Sequence, residues 1–140
     1  MKTLKSILLG LTLLVASTAA NAKTIPAVAL TKNDVLNSYV NAVVHGKIEG
    51  VENIFDKNLK VVMYRNDKEF SFNKAQLLES LKASENIEQN CTYTTSIMDE
   101  STKKMVVKVI MRYEGYVRIN TLTLEQKHDD FQITKIETEY

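Results

Sequence analysis

A helical segment, a glycine and a second short segment between Val35 and Phe55 constrain the fold of this chain most. Val35, Tyr39 and Val43 recur at helical spacing, so one face of the first segment is apolar. Gly46 follows where that helix has to end, because glycine adopts a positive φ at little cost. The segment therefore predicts a helix that stops at Gly46 and a short second helix that ends at Phe55.

The rest of the chain has strand patterns around one further helix. Two short strands, residues 59–64 and 68–72, precede a helix capped by Asn73, and strands follow near residues 90–98, 104–113, 116–126 and 131–139. The clearest alternation is that of Met105, Val107, Val109, Met111 and Tyr113. Because helices and strands are segregated, the sequence predicts an α+β domain with two helices, two strands, a helix and a four-strand antiparallel meander.

Two strands change the parity of their apolar positions. In the fifth strand the apolar residues move from the face of Ile119 to that of Leu122, so we predict a β-bulge near Asn120. A similar change separates Ile133 from Ile136 in the last strand. Bulges at these positions would bend the sheet.

The first 22 residues have the pattern of a secretory signal peptide. A basic start with Lys2 and Lys5 precedes an apolar run and the small-x-small site Ala20–Ala22. The run is shorter than the ~20 residues that span a bilayer, and no cysteine lies near the cut. We predict a cleaved signal peptide, a periplasmic or secreted mature chain without a stable membrane anchor, and three segments: signal peptide 1–22, lead-in 23–31 and domain 32–140.

The charge balance and the cysteine content limit which partners and which disulfide bonds we expect. The chain has 18 basic and 17 acidic residues, and removal of the signal peptide takes two lysines with it. This near-neutral balance argues against nucleic acid as a partner.

Cys91 is the only cysteine, so an internal disulfide is excluded. A small buried side chain in a strand, an intermolecular disulfide and a catalytic thiol are the open interpretations of Cys91.

In this order of elements, residues 32–140 resemble the nuclear transport factor 2-like superfamily, in particular its small exported members grouped as SnoaL-like or lumazine-binding proteins. The usual form of the opening unit is an apolar helix ending in Gly-Asp, then a helix ending in Phe. Here Lys47 replaces the Asp. The resemblance implies a cone-shaped curved antiparallel sheet wrapped around helices, with a pocket between the first helix, the third helix and the concave face.

The resemblance also implies frequent dimerisation through the convex face. Val106 and Ile110 make the second face of their strand partly apolar, which suits a homodimer. The sequence indicates no cofactor. His128, Asp129 and Asp130 are compatible with a solvated turn or with part of a metal site, but no second ordered histidine accompanies them.

The ketosteroid isomerases of this superfamily provide the sharpest catalytic comparison. The resemblance matches their tyrosine to Tyr39 and places their catalytic base at Met63, whose thioether cannot take up a proton at neutral pH. Their neutral aspartic acid matches Asn120 or Leu124, depending on the direction of counting, and neither is an acid. No complete catalytic machinery is evident.

The leading hypothesis is therefore an exported domain that binds a small aromatic or apolar molecule. An isomerase, dehydratase or cyclase that uses the cone pocket and a homodimeric envelope interaction module are the alternatives. Binding pockets are mostly apolar with a few placed polar groups, although the same aromatic and Met side chains are equally suited to filling a core. The predicted pocket wall comprises Tyr39, Val43, Phe55, Met63, Tyr93, Met111, Tyr113, Asn120 and Leu122.

Overall fold

The computed structural model describes residues 28–140. It confirms the predicted α+β class and the order of the elements. The predicted signal peptide lies outside the described residues and stays a prediction. The elements are α1 Lys32–His45, a 3₁₀ turn Val51–Ile54, β1 Phe55–Arg65, β2 Lys68–Phe72, α2 Lys74–Ala83, β3 Thr92–Glu100, β4 Lys104–Tyr113, β5 Tyr116–Lys127 and β6 Asp130–Glu139.

The six strands form one curved sheet in the order β2-β1-β6-β5-β4-β3. Strands β3 to β6 form the predicted antiparallel meander. Strand β1 pairs with β2 in an antiparallel hairpin and with β6 in parallel, so the sheet is mixed rather than wholly antiparallel. The parallel pair joins the early hairpin to the late meander.

Both α-helices begin with a capping box. The Thr31 hydroxyl accepts the Asp34 N–H at 3.2 Å, and the Asp34 carboxylate accepts the Thr31 N–H at 2.8 Å. The pKa of the Asp34 carboxyl is lowered by the bond from the Thr31 backbone N–H foremost and by a second bond that the Thr31 hydroxyl donates to the same carboxylate. Asn73 and Gln76 make the same reciprocal pair at the start of α2. Such caps satisfy N–H groups that the helix itself leaves free.

Gly46 ends α1 in the left-handed conformation, with φ 67°. The loop that follows α2 lies directly against it, and the Asn86 N–H donates to the Gly46 carbonyl at 2.9 Å. A Cβ at position 46 would lie 2.6 Å from the backbone nitrogen of Ile87 and 2.7 Å from that of Asn86. Glycine is therefore required here both by its φ and by a close backbone approach.

The core lies between α1 and the concave face of the sheet. Met105, Val107, Val109 and Met111 of β4 alternate inward as predicted, and none is more than 2% exposed. They pack in one apolar cluster with Val35 of α1. Burial of a side chain of this size stabilises the fold by roughly 1.5–3 kcal/mol.

The second predicted helix is shorter than expected. It is a single 3₁₀ turn, and Phe55 begins β1 instead of ending a helix. Its N-cap Gly50 makes no side-chain capping bond. Strand β1 starts four residues before the predicted Leu59 because Phe55 is already paired with Ile133 of β6.

The predicted bulge near Asn120 is wrong. The pairing of β5 with β4 runs without interruption through Asn120, which faces Val109. Asn120 itself is buried on the concave side with Leu122, and Ile119 lies on the opposite face. The prediction assumed that every inward position is apolar, and an inward asparagine broke that assumption.

The predicted parity change in the last strand is confirmed. The register between β5 and β6 shifts between Thr123 and Leu124, which pair with Lys135 and Ile133. This irregularity lets Ile133 and Ile136 both point into the core, where each is at most 2% exposed.

The two edge strands and the convex face are open to solvent. Every residue of β2 and of β3 is exposed. Val106 and Ile110 are partly exposed on the convex face, and homodimerisation through that face stays a prediction. No helix within residues 28–140 is long and apolar enough to cross a membrane.

We expect Gly46→Ala to lower the free energy of unfolding by about 3 kcal/mol or more, because it combines left-handed strain of ~1–2 kcal/mol with a steric conflict against backbone. Gly50→Ala is the matched control. Its φ of 70° is almost the same, but the nearest atom to a Cβ is 4.0 Å away. Urea unfolding of both variants measures the difference, and equal losses would show that the close approach at Gly46 contributes nothing.

Candidate functional site

A cavity of about 270 Å³ opens between α2, the strands β1 and β6, and the middle of α1. We call it the inner cavity. Its walls are mainly apolar, and its polar groups are few. The lining residues are Tyr39, Val61, Met63, Phe72, Gln76, Leu77, Ser80, Arg118, Ile136 and Thr138.

The parallel pair of strands sets one wall of the inner cavity. Val61 pairs with Ile136, and Met63 pairs with Thr138. Side chains two residues apart on a strand point to the same face, so these four project together. Helix α2 lies over them and contributes Leu77.

A buried polar network includes three residues of the cavity wall, Tyr39, Arg118 and Thr138. The Asn120 side-chain amide nitrogen donates to the Tyr39 hydroxyl at 2.8 Å. The Asn120 Oδ1 accepts from the Thr138 hydroxyl at 2.8 Å and from Arg118 Nε at 3.3 Å. Asn120 and Thr138 are at most 1% exposed. No buried side-chain polar atom of residues 28–140 lacks a partner, so each buried polar atom of the network has at least one.

Arg118 determines which way the Asn120 amide points. A guanidinium only donates hydrogen bonds, so the atom that faces Arg118 has to be the amide oxygen. The NH₂ group then faces Tyr39 and donates to its hydroxyl. The Tyr39 hydroxyl keeps its own hydrogen for another acceptor, and Tyr39 lines the inner cavity.

Burial raises the pKa of Tyr39 to about 12, and the nearby Arg118 charge opposes this in part. Tyr39 is 2% exposed, in keeping with that cause. It is a neutral phenol at physiological pH. The cavity thus has a neutral hydroxyl donor beside a permanently charged guanidinium.

Comparisons with known proteins fit this architecture at the level of the fold. No family model matches the sequence, and no curated protein resembles it in sequence. Two similar solved structures are nuclear transport factor 2-like proteins of unknown function. The one from Silicibacter pomeroyi has a TM-score of 0.63 and 14% identity, and the match covers 76% of this chain and 90% of that chain. The one from Shewanella baltica has a TM-score of 0.60 and 11% identity, and the match covers 76% of this chain and 88% of that chain. The chain has the nuclear transport factor 2-like fold.

A third similar structure comes from Shewanella frigidimarina and is provisionally assigned as a ketosteroid isomerase. It has a TM-score of 0.56 and 16% identity, and the match covers 76% of this chain and 92% of that chain. Identities this low show a shared fold and leave the chemistry of each chain to its own residues.

In this nuclear transport factor 2-like fold, the position that the resemblance matches to the base of an isomerase carries a thioether. Met63 lines the inner cavity, and none of the described lining residues is Asp, Glu or His. Asn120, not Leu124, is the partner of Tyr39. Leu124 is fully buried in the core. The arrangement can hold an acceptor oxygen, but it places no ordinary proton acceptor beside it.

The predicted pocket residues do not share one environment. Tyr39 and Met63 line the inner cavity, and Asn120 donates a hydrogen bond to the Tyr39 hydroxyl. A ligand contact for any of the predicted residues stays a prediction. Besides Tyr39, the fully buried members that belong to the core cluster are Phe55, Met111 and Leu122, and Val43 packs partly buried against that cluster.

Two predicted tyrosines lie away from the inner cavity. The Tyr113 hydroxyl donates to Gln89 at 3.4 Å, and its partial burial raises its pKa to about 12. Tyr93 is 42% exposed on the edge strand β3, with its ring edge-on to His45 at 6.4 Å. Cys91 lies just before this strand, partly buried and unbridged.

Sequence reasoning missed Arg118 and Thr138. Arg118 lies two residues before Asn120 on the same face of β5, so alternation would have found it had Asn120 been placed inward. Thr138 lies two residues after Ile136 and could have been found in the same way. No local pattern in the sequence shows that α2 forms part of the cavity wall, because this depends on how the helix packs against the sheet.

The turn between β5 and β6 has a structural role. The Asp130 carboxylate accepts the Leu30 N–H at 2.7 Å, and the Leu30 carbonyl accepts the Phe131 N–H at 3.0 Å. These bonds hold the last residues of the lead-in against the turn. Within residues 28–140 no three His, Cys, Asp or Glu side chains are grouped to hold a metal ion.

Because of Tyr39, we expect the stability of the folded protein to fall at alkaline pH. The folded state holds its proton up to a pKa of about 12, whereas the ordinary pKa of a tyrosine is 10.0. Its contribution is complete below pH 10.0 and is lost as the pH rises towards about 12. We expect unfolding free energy to fall by roughly 2–3 kcal/mol across that interval through Tyr39 alone.

Urea unfolding at about pH 9 and about pH 11 measures about half of this loss, because pH 11 lies midway between the two pKa values. Tyr39→Phe removes this alkaline loss. It also lowers the free energy of unfolding by ~1–2 kcal/mol at neutral pH, because the Asn120 amide loses its acceptor. Tyr113→Phe is the control, since solvent reaches Tyr113 and its effect is smaller. An alkaline loss that persists unchanged in Tyr39→Phe would contradict the assignment.

Proposed function

We propose that this protein is an exported domain that binds one small, mainly apolar molecule in the inner cavity. The ligand offers a hydrogen-bond acceptor oxygen to Tyr39. The observation that carries the proposal is the Tyr39 hydroxyl, which Asn120 holds at the wall of an apolar cavity with its hydrogen unused.

The volume limits the size of the ligand. Pockets for drug-sized molecules are typically ~300–1,000 Å³, and the inner cavity lies at the lower end with about 270 Å³. A molecule of one or two rings suits this space. Apolar contacts come from Val61, Leu77, Ile136 and Met63. The flexible thioether of Met63 adapts to ligands of different shape.

The polar groups limit its chemistry. A neutral hydrogen bond from Tyr39 is worth ~1 kcal/mol, and a bond from Arg118 to an anionic oxygen ~1.5–3 kcal/mol. Carbonyl and carboxylate oxygens accept from both donors. Small aromatic ketones, aldehydes and carboxylates therefore form the expected ligand class.

A proton-transfer enzyme in the same cavity is the weaker proposal. The fold supports isomerase-type chemistry in principle, and one similar structure has a provisional assignment of that kind. Such a reaction needs a group that takes up a proton within hydrogen-bond reach of the substrate. Met63 lines the cavity in this chain, and the donors Tyr39 and Arg118 stabilise a bound oxygen without moving a proton.

The pair acetophenone and ethylbenzene tests the binding proposal, because the two differ by one acceptor oxygen. We expect acetophenone to bind more tightly to the unmodified protein by roughly fivefold, the equivalent of one neutral hydrogen bond. In Tyr39→Phe this preference should be reduced or lost while ethylbenzene binding is kept. Chemical-shift changes at the methyl groups of Val61, Leu77 and Ile136 give both affinities.

Leu77→Trp serves as the control, because it fills the inner cavity from α2. We expect it to abolish binding of both probes while the thermal midpoint changes little. Binding of acetophenone that is insensitive to both Tyr39→Phe and Leu77→Trp would refute the inner cavity as the site.

Export is the second part of the proposal. It is supported by the basic start, the apolar run and the Ala20–Ala22 site of the sequence. Expression of the full chain in a Gram-negative host should give a periplasmic protein whose first residue is Lys23. A cytoplasmic product that retains Met1 would refute export.

A further inference from the structure

Four of the six tyrosines of the chain and two of its three arginines gather at one end of the sheet, and all of them except Arg118 lie outside the inner cavity. They come from distant parts of the sequence. Tyr64 and Arg65 end β1, Tyr116 begins β5, and Tyr140 follows β6. With Asn66 these residues line a groove of about 550 Å³, which we call the outer groove.

The aromatic rings of the outer groove are ordered against one another. Tyr113 stacks on Tyr116 with 4.6 Å between the ring centroids and 6° between the planes. Tyr116 lies 6.3 Å from Tyr140 at 39°. Tyr64, Tyr116 and Tyr140 are nevertheless 42–53% exposed. Rings this large are held in place yet remain available to a planar ligand.

Two positive charges converge on one of these rings. The Arg65 and Arg118 guanidinium carbons lie 5.8 Å and 5.7 Å from the centroid of Tyr140, within cation–π range. The three ion pairs of residues 28–140 involve neither arginine. Two like charges beside one ring repel each other, and an anion between them would relieve that repulsion.

The surroundings of Arg65 limit how much negative charge the groove accepts. A neighbouring depression shares Arg65 and Tyr140 with the groove and adds Asp67, Glu69 and Glu139, together with Lys68. These carboxylates disfavour a polyanion through repulsion. None of them lines the outer groove itself. A single anionic group is therefore the best match.

We propose that the outer groove is a second binding site, for a planar aromatic monocarboxylate. Its ring stacks on the tyrosines, and its carboxylate lies between Arg65 and Arg118, whose planar donors match a carboxylate in pairs. This site is separate from the inner cavity. Arg118 takes part in both, since it lines the cavity and faces the Tyr140 ring.

Calorimetric titration of the purified protein with naphthoate tests the second site. We expect naphthoate to bind at least about tenfold more tightly than naphthamide, which lacks the charge, and than cyclohexanecarboxylate, which lacks the flat ring. Arg65→Gln and Tyr116→Ser should each weaken naphthoate about tenfold. Tyr116→Phe keeps the ring and should bind as the unmodified protein does. Both positions are exposed, and the thermal midpoint verifies the fold of each variant.

Leu77→Trp separates this proposal from that of the inner cavity. We expect the naphthoate binding that depends on Arg65 to remain in Leu77→Trp, while binding of acetophenone is abolished. Loss of naphthoate binding in Leu77→Trp, with Arg65→Gln unaffected, would place naphthoate in the inner cavity and overturn the second site alone. Equal binding of naphthoate and naphthamide, or no binding of naphthoate at millimolar concentration, would also overturn it.

Discussion

The parallel pairing of β1 with β6 is the interaction on which the rest of the structure depends. It joins a hairpin from the first half of the domain to a meander from the second, and without it the sheet would be two pieces. It sets Val61 beside Ile136 in the inner cavity and Met63 beside Thr138. One residue further on, it brings Tyr64 next to Glu139 and so towards Tyr140, where the outer groove begins.

Features that depend on near neighbours could be predicted from the sequence. The cap at Asn73, the stop at Gly46 and the alternation of β4 each involve residues a few positions apart, and each is confirmed. The parallel pair was not predicted because periodicity shows that a segment is a strand and does not identify its partner. The misplaced bulge at Asn120 has a related cause, since the polar partner that makes its burial tolerable is Tyr39, 81 residues away.

The candidate site was predicted in part for the same reason. Tyr39 and Met63 are the positions that the resemblance matches to isomerase residues, and both line the inner cavity. Met111 and Leu122 are chosen for their side chains, and they lie in the core cluster, which also contains Tyr39. Access to the inner cavity separates the two groups. It depends on where the helices lie over the sheet, which no pattern along a single strand encodes.

The fixed orientation of the Asn120 amide gives the inner cavity a direction. Turning the amide over would set its NH₂ group against Arg118, donor against donor, so the network resists reversal. At this end the cavity consequently presents the Tyr39 hydroxyl hydrogen and the Arg118 charge. An ammonium or guanidinium compound of the right size would meet the positive charge of Arg118 there. The orientation of a single buried amide thus prepares a donor for a carbonyl, while the neighbouring guanidinium disfavours a cation.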